Sequence, residues 1–143
     1  MTMPKVFVLV LSYNGIKWLK GCLPSVIAMD YPNYETVVID NGSSDGTQDF
    51  MRENFPQVQM VTLKPNRGYA GGFNAGLEYA AEHGADFFLV MNNDTEIDSF
   101  ALTALVEAAQ AQERAGFVTG KVYFHDCIKR GKPNTLNGVS RTG

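Results

Sequence analysis

The chain has few of the residues that mark a specialised class. Of its 143 residues only two are cysteines, Cys22 and Cys127, far apart and without CxxC spacing. That leaves neither a zinc site nor a disulfide framework to build on, and it fits a reducing, cytoplasmic compartment. Positive charge is not in excess: fifteen acids outnumber twelve bases, for a net charge of −3. The basic field that usually accompanies nucleic-acid binding is missing, so no nucleic acid is expected as a partner. Long hydrophobic runs are lacking too. The N-terminal apolar run Val6–Leu11 is too short for a signal sequence with its cleavage site, and much too short to span a bilayer. With 45% hydrophobic and 19% charged residues, what remains is one compact domain with an ordinary core.

What is present is an alternation. Val6–Leu11, Thr36–Ile39, Val58–Leu63, Asp86–Met91 and Phe117–Phe124 are strand-like runs, several of them continuously apolar, as strands covered on both faces are. Segments of helical period lie between them: Ile16, Leu19, Leu23, Val26 and Ile27; Phe50 and Met51; Phe73, Leu77 and Ala80; Leu102, Leu105, Val106 and Ala109. Pro24 conflicts with the first helix and predicts a kink or break there. His83-Gly84 resembles a helix C-terminus with its glycine cap. Ser43 or Ser44 is expected to cap the second helix, and Asp98 or Ser99 the last. This order predicts an α/β fold: a mostly parallel, Rossmann-like sheet with right-handed crossovers and helices on both faces. From Cys127 onward the pattern disappears, so residues 127–143 read as a loop or loosely ordered tail behind a domain of residues 1–126.

In open α/β sheets ligands gather at the C-terminal edge of the strands. Three such edges here are polar: Ser12-Tyr13-Asn14-Gly15, Asp40-Asn41-Gly42-Ser43 and Asn92-Asn93-Asp94. A carboxylate at Asp94 suits a hard divalent cation such as Mg²⁺ or Mn²⁺, which takes oxygen ligands and bridges to phosphates; Asn, Asp and Thr also suit a plain turn or cap. Asp40 is placed to accept hydrogen bonds from a ribose or base, or to start a turn with Asn41-Gly42. The ring of Tyr13 can stack on a nucleobase, or serve as an amphipathic core edge. Trp18 reads as packing. His125-Asp126-Cys127 reads as a loop.

The segment from Asn66 to Gly76 holds four of the fourteen glycines at the mouth of a helix. Glycine permits close backbone approach and a helix N-terminus offers free N–H groups to an anion, with Arg67 available for a charge-assisted contact to phosphate. The competing reading is tight helix–sheet packing. No Gly-Lys-Ser/Thr follows, so it is not a Walker A loop. It does not follow the first strand, so it is not a dinucleotide fingerprint, which counts against a dehydrogenase.

Val8-Leu9-Val10-Leu11-Ser12-Tyr13-Asn14-Gly15, Val38-Ile39-Asp40-Asn41-Gly42-Ser43-Ser44-Asp45-Gly46, Asn66-Arg67-Gly68-Tyr69-Ala70-Gly71-Gly72-Phe73-Asn74 and Met91-Asn92-Asn93-Asp94-Thr95 occur in that order. Together they resemble the nucleotide-sugar half of family 2 glycosyltransferases, in particular the rhamnosyltransferase-like branch, over roughly residues 4 to 125. The resemblance implies a GT-A fold and transfer of a sugar from a nucleoside diphosphate sugar, of UDP or dTDP type, to a saccharide or lipid-linked acceptor. It implies a metal-assisted, inverting reaction, in the cytoplasm or peripheral to the inner face of the membrane.

Carried over by position, Tyr13 and Asp40 would contact the base and Asn14 would line the same pocket, while Arg67, Gly68, Gly71 and Gly72 would lie near the ribose or pyrophosphate. Ser12, Asn41 and Asn74 would belong to the donor site, as would Asn93, which occupies the metal motif with Asp94, and Asp94 would hold the metal. The family's metal motif is usually Asp-any-Asp. Here Asn92 occupies the first acid position, so Asp94 alone supplies a carboxylate. The family's base comes from a later segment than any in this chain, so the chain is expected to be truncated before the acceptor-binding half. Glu96 and Asp98 are nearby acids with an alternative role as helix N-terminal charges. The competing function is a nucleotide-sugar-binding module without turnover. A homo-oligomer that buries uncovered apolar surface is a third expectation.

Overall fold

A computed structural model of the chain describes residues 3–123, together with the short strand pairs at 135–136 and 139–140. Four strands, β1 (Val6–Ser12), β2 (Tyr34–Asp40), β3 (Gln59–Thr62) and β4 (Phe87–Asn92), alternate with four helices: α1 (Ile16–Ile27), α2 (Thr47–Asn54), α3 (Gly68–Glu82) and α4 (Ala101–Gln110). All strand pairs in this sheet are parallel, in the order β3-β2-β1-β4. The α/β, Rossmann-like expectation holds. Strand order runs outward from β1 through β2 to β3, then jumps back across β1 to β4. The switch point therefore lies between β1 and β4, where open sheets of this class leave a crevice beyond the strand ends.

Both faces of the sheet are covered. On one, Val6, Val8, Val10, Val38 and Met91 pack against Leu19, Leu23 and Val26 of α1, Met51 of α2, and Leu102 and Val106 of α4. On the other, Phe7, Leu9, Val37 and Ile39 meet Phe73 and Ala80 of α3. The period-2 alternation of the strands sends neighbouring residues to opposite cores. β1 is central and is buried along nearly its whole length.

Several expectations are corrected. Pro24 does not break α1, which runs unbroken through it. Pro24 and Lys20 are both exposed, so the carbonyl that loses its N–H partner faces water. β4 is not covered on both faces: Phe87, Leu89 and Met91 join the α1/α4 core, while Phe88 and Val90 stand about half exposed. α3 lies mainly over β1 and β2 and touches the edge strand β4 only in part. Residues 117–123 form no strand, and Phe117 is fully exposed, because a strand requires a ladder partner and this segment pairs with none of the described strands. Residue 124 and the His125-Asp126-Cys127 triplet lie outside the described residues. Thr135–Leu136 and Val139–Ser140 pair antiparallel.

α3 ends as expected. The Gly84 N–H donates to the Ala81 carbonyl and the Ala85 N–H to the Ala80 carbonyl, both within 3.2 Å, a Schellman closure around a left-handed glycine. His83 Nδ1 lies 2.6 Å from the Tyr79 carbonyl oxygen.

Candidate functional site

The register fixes where the site lies. Ser12 pairs with Asp40 and Leu11 with Asn92, so three polar strand ends finish side by side. A cleft of about 450 Å³ opens above them. Asn92, Asn93 and Asp94 form one wall, Tyr13 and Trp18 another, and Asn41, Asn66, Gly68 and Tyr69 a third, with Leu11 as part of the lining.

The metal-motif segment is a turn, closed by the Thr95 N–H donating to the Asn92 carbonyl at 3.3 Å. The turn reading is thus realised, and it puts the exposed carboxylate of Asp94 on the cleft wall. Asn93 is anchored: its Nδ2 donates to Ser12 Oγ at 3.0 Å. Ser12 itself is buried, beneath the cleft and outside its lining. A Cβ on Gly15 would come within 2.2 Å of Asn93 Nδ2 and 2.4 Å of Ser12 Oγ, so only glycine leaves room for this pair.

Asp40 is fully buried. One carboxylate oxygen accepts from the Ser43 N–H at 3.1 Å and the other from Gln48 Nε2 at 2.9 Å. The structure thus uses it to start the turn after β2. Asn14 adopts a left-handed backbone (φ 47°). Its N–H donates to Ser43 Oγ and its Oδ1 accepts from the Ser44 N–H, each at 2.8 Å. Asn14 therefore ties the loops after β1 and β2 together from an exposed position.

Ser43 and Ser44 are thereby occupied and do not cap α2. The N-cap is Gly46, which has no side chain to bond; just before it, Asp45 Oδ1 accepts from the Thr47 N–H at 3.1 Å and the Thr47 hydroxyl at 2.5 Å. Burial pulls the Asp45 pKa up, but the bonds from the Thr47 hydroxyl and from the Ile16 and Thr47 amides outweigh it and hold the carboxyl below its ordinary value. Asp98 Oδ1 accepts from the Phe100 N–H at 2.9 Å and caps the turn that leads into α4.

The glycine-rich segment divides by role. Gly68 is left-handed (φ 71°) with open space where a Cβ would stand, on the cleft wall. Gly72 and Gly76 do packing work: a Cβ would come within 2.5 Å of Leu11 Cδ1 and 2.7 Å of Ile39 Cδ1, respectively. A Cβ on Gly71 would meet Arg67 Cβ at 2.9 Å. Asn41 is buried and holds the start of α3, accepting the Arg67 N–H and donating to the Gly68 carbonyl, both at 2.9 Å. Arg67 sits at the N-cap and makes no side-chain cap bond. Its side chain is exposed. Asn74 is exposed on α3, more than a turn past the start and outside the cleft lining.

Trp18 and Tyr69 join Tyr13 on the cleft, each half exposed or more. Trp18 was expected to be packing. It follows β1 by only six residues on the first turn of α1, and that proximity to a strand's C-terminal end was the available signal. Tyr69 packs edge-on against Phe73, with centroids 4.9 Å apart.

Among the described residues no group of three or more His, Cys, Asp or Glu could hold a metal by itself. Asp94 nevertheless fits a hard cation of the Mg²⁺ or Mn²⁺ type. Such ions are commonly held by one or two carboxylates, the remaining positions being filled by substrate phosphates and water. Across the cleft, at the start of α3, the Arg67 and Gly68 N–H groups are taken by Asn41 Oδ1 and Asn66 Oδ1, and the N–H groups that follow in a helix's first turn are those that suit an anion. Beneath the turn, Cys22 lies buried with its Sγ 4.0 Å from the Asn92 carbonyl oxygen. Burial, then the charges of Asp94 and Glu96, pushes its thiol up to about 11.

The sequence matches the family model described as Glycosyl transferase family 2 over residues 7–142. The chain belongs to that family. Poly-beta-1,6-N-acetyl-D-glucosamine synthase of Staphylococcus epidermidis is 28% identical over 152 residues, 89% of this chain and 36% of the relative. Among solved structures, the mannosyltransferase PcManGT from Pyrobaculum calidifontis, in complex with GDP-Man and Mn²⁺, is similar with a TM-score of 0.70 and 26% identity, over 81% of this chain and 35% of that one. S. aureus TarS 1-349 in complex with UDP has a TM-score of 0.65 and 23% identity, over 80% of this chain and 38% of that one; at that identity the likeness shows the fold alone. The family 2 chain described here thus spans about a third of the length of these relatives. Among its described residues, no helix is long and apolar enough to cross a membrane.

Proposed function

We propose that the cleft binds a nucleoside diphosphate sugar, of UDP or dTDP type, and that the chain serves a glycosyltransferase passing the sugar to an acceptor hydroxyl with inversion. The observation that carries this reading is the position of Asp94: an exposed carboxylate at the switch point, across one cleft from the N-terminus of α3. A diphosphate spanning that gap would meet backbone N–H groups on one side and an Asp94-held cation on the other. The rings of Tyr13 and Tyr69 offer stacking faces for base or sugar, and exposed Arg67 adds positive charge near the phosphates.

When bound, the cation supplies charge neutralisation for the departing diphosphate. In the transfer itself the acceptor oxygen forms a bond to the anomeric carbon, the carbon–phosphate oxygen bond breaks, and the diphosphate leaves with the electron pair. The acceptor proton passes to a base. The rhamnosyltransferase-like branch belongs to this reading through Asn92, which stands at the first acid position of the motif. So does a cytoplasmic location, peripheral to the inner membrane face for a lipid-linked saccharide acceptor.

A second reading, a nucleotide-sugar-binding module without turnover, is favoured by one observation. Asp94 is the one carboxylate among the described residues lining the cleft; with the cation on it, this lining holds no second carboxylate for the acceptor proton.

Calorimetric titration with UDP, dTDP and GDP, with and without Mn²⁺, tests the site. Mn²⁺-dependent binding that Asp94→Ala abolishes is the expected result, and absence of binding to all three would overturn it. Release of nucleoside diphosphate from the sugar donor then separates enzyme from module.

A further inference from the structure

Ser12 and Asn93 make a part-buried hydrogen bond whose position between two cleft walls has a consequence for binding. Ser12 immediately precedes Tyr13, and Asn93 immediately precedes Asp94. Tyr13 and Asp94 both line the cleft, while Ser12 is 1% exposed. The 3.0 Å contact from Asn93 Nδ2 to Ser12 Oγ therefore joins the residues next to the aromatic wall and next to the acid. β1 and β4 are neighbours in the sheet but 81 positions separate the bonded residues in sequence. The contact is a tertiary tie across the switch point.

Three further features point the same way. The Ser12 carbonyl accepts the Asn41 N–H at 2.8 Å, and Asn41 in turn holds Arg67 and Gly68. Ser12 thus stands at the join of all three walls. Its backbone is fixed by the sheet, so the hydroxyl is the part that reaches the turn carrying Asp94. Gly15 leaves the space: a Cβ there would lie 2.2 Å from Asn93 Nδ2 and 2.4 Å from Ser12 Oγ, too close for either atom to stay.

We propose that Ser12 is a positioning residue: its hydrogen bond to Asn93, in the space left by Gly15, sets Asp94 in register with the Tyr13 wall and so couples cation binding to nucleotide binding. This rests on the nucleotide-and-cation reading of the cleft. Loss of the bond frees the Asn93-Asp94 turn to sample positions where a cation on Asp94 no longer meets the diphosphate. The coupling then falls although Asp94 is still present.

The test is a linkage measurement on the full 143-residue chain. UDP affinity is measured with and without Mn²⁺ for wild type, Ser12→Ala and Gly15→Ala, and the ratio of the two affinities is compared. The expected result is a ratio reduced by roughly tenfold in each variant, within the usual span of coupling between sites. Far-ultraviolet circular dichroism and a melting curve establish that each variant is folded. Gly15→Ala keeps both hydrogen-bonding groups and disturbs only their approach, so it supports the inference if Ser12→Ala unfolds. A folded variant that binds UDP more weakly, with its Mn²⁺ ratio unchanged, overturns the proposal. Wild type that shows no Mn²⁺ enhancement at all removes the nucleotide-and-cation reading first, and the positioning role falls with it.

Discussion

Asn41 clamps two peptide groups at the start of α3, its Oδ1 accepting the Arg67 N–H and its Nδ2 donating to the Gly68 carbonyl, each at 2.9 Å. A buried side-chain amide is thus satisfied by the backbone of the segment that forms one cleft wall. Truncation to Ala removes both bonds, and because Arg67 and Gly68 are exposed, so that water can take the lost partner's place, the expected cost is about 0.5–1.5 kcal/mol for each. Asn41→Ala is expected to lower stability in urea unfolding and to weaken nucleotide binding with or without metal. Unchanged nucleotide affinity in a folded variant would separate the clamp from the site.

Gly76 and Ile39 show why α3 lies so close to the sheet. A Cβ on Gly76 would stand 2.7 Å from Ile39 Cδ1, and overpacking of this kind costs about 1–3 kcal/mol. Gly76→Ala is expected to lower the urea midpoint, and Gly76→Ala with Ile39→Val to recover part of the loss because the two sites share one contact. Purely additive losses would show that the clash is relieved elsewhere.

Cys22 predicts an alkaline limit on stability. Its folded pKa of about 11 lies above the ordinary value of 9.0, so the contribution is complete below pH 9 and is lost as pH rises toward 11. Stability followed by urea unfolding is expected to fall across that window in a Cys127→Ser background and to fall less steeply when Cys22→Ala is added, the remaining fall coming from Tyr31 and Tyr34, whose pKa values burial also raises. The same burial predicts slow alkylation of the native thiol by iodoacetamide.

Asp45 works at the acid end with the opposite sign. Its folded pKa lies below the ordinary 3.8, so its contribution is present above that value and is lost as pH falls through the folded pKa. Asp45 is exposed, which screens the effect. Asp45→Ala is expected to remove a side-chain bond at the helix start worth about 1 kcal/mol at pH 7 and to cost progressively less as pH falls below 3.8.

Phe88 and Val90 form a half-exposed apolar stripe on the edge strand. If this surface drives self-association, Phe88→Ser with Val90→Thr reduces it in sedimentation velocity, with little change in stability. Leu9→Ala, in the α3-side core, is expected to cost about 2–5 kcal/mol. A wild type that stays monomeric at all concentrations would remove the expected homo-oligomer.

The amino-acid sequence by itself determined the α/β class, the four central strands and helices, and which strand ends are polar. These are properties of local period and of single positions: Val6–Leu11 must be buried wherever it lies, and a parallel crossover follows from strand–helix alternation. It also offered two readings each of Asp94 and of the glycines, and of these the turn at Asp94 and the packing of Gly72 and Gly76 against the sheet are realised. The tertiary structure decided between the uses. Asp40 was legible both as a strand-end acid for a ligand and as the start of a turn, and the structure realises the turn, through bonds from Ser43 and Gln48 just beyond it. Trp18 looked like core because helical period does not say which side of α1 meets the sheet. The strand expected at Phe117–Phe124 failed because β propensity cannot supply a ladder partner. The bond between Ser12 and Asn93, and the need for Gly15 beside it, arise only where β1 and β4 are brought together, and no local pattern in either segment encodes the other's position.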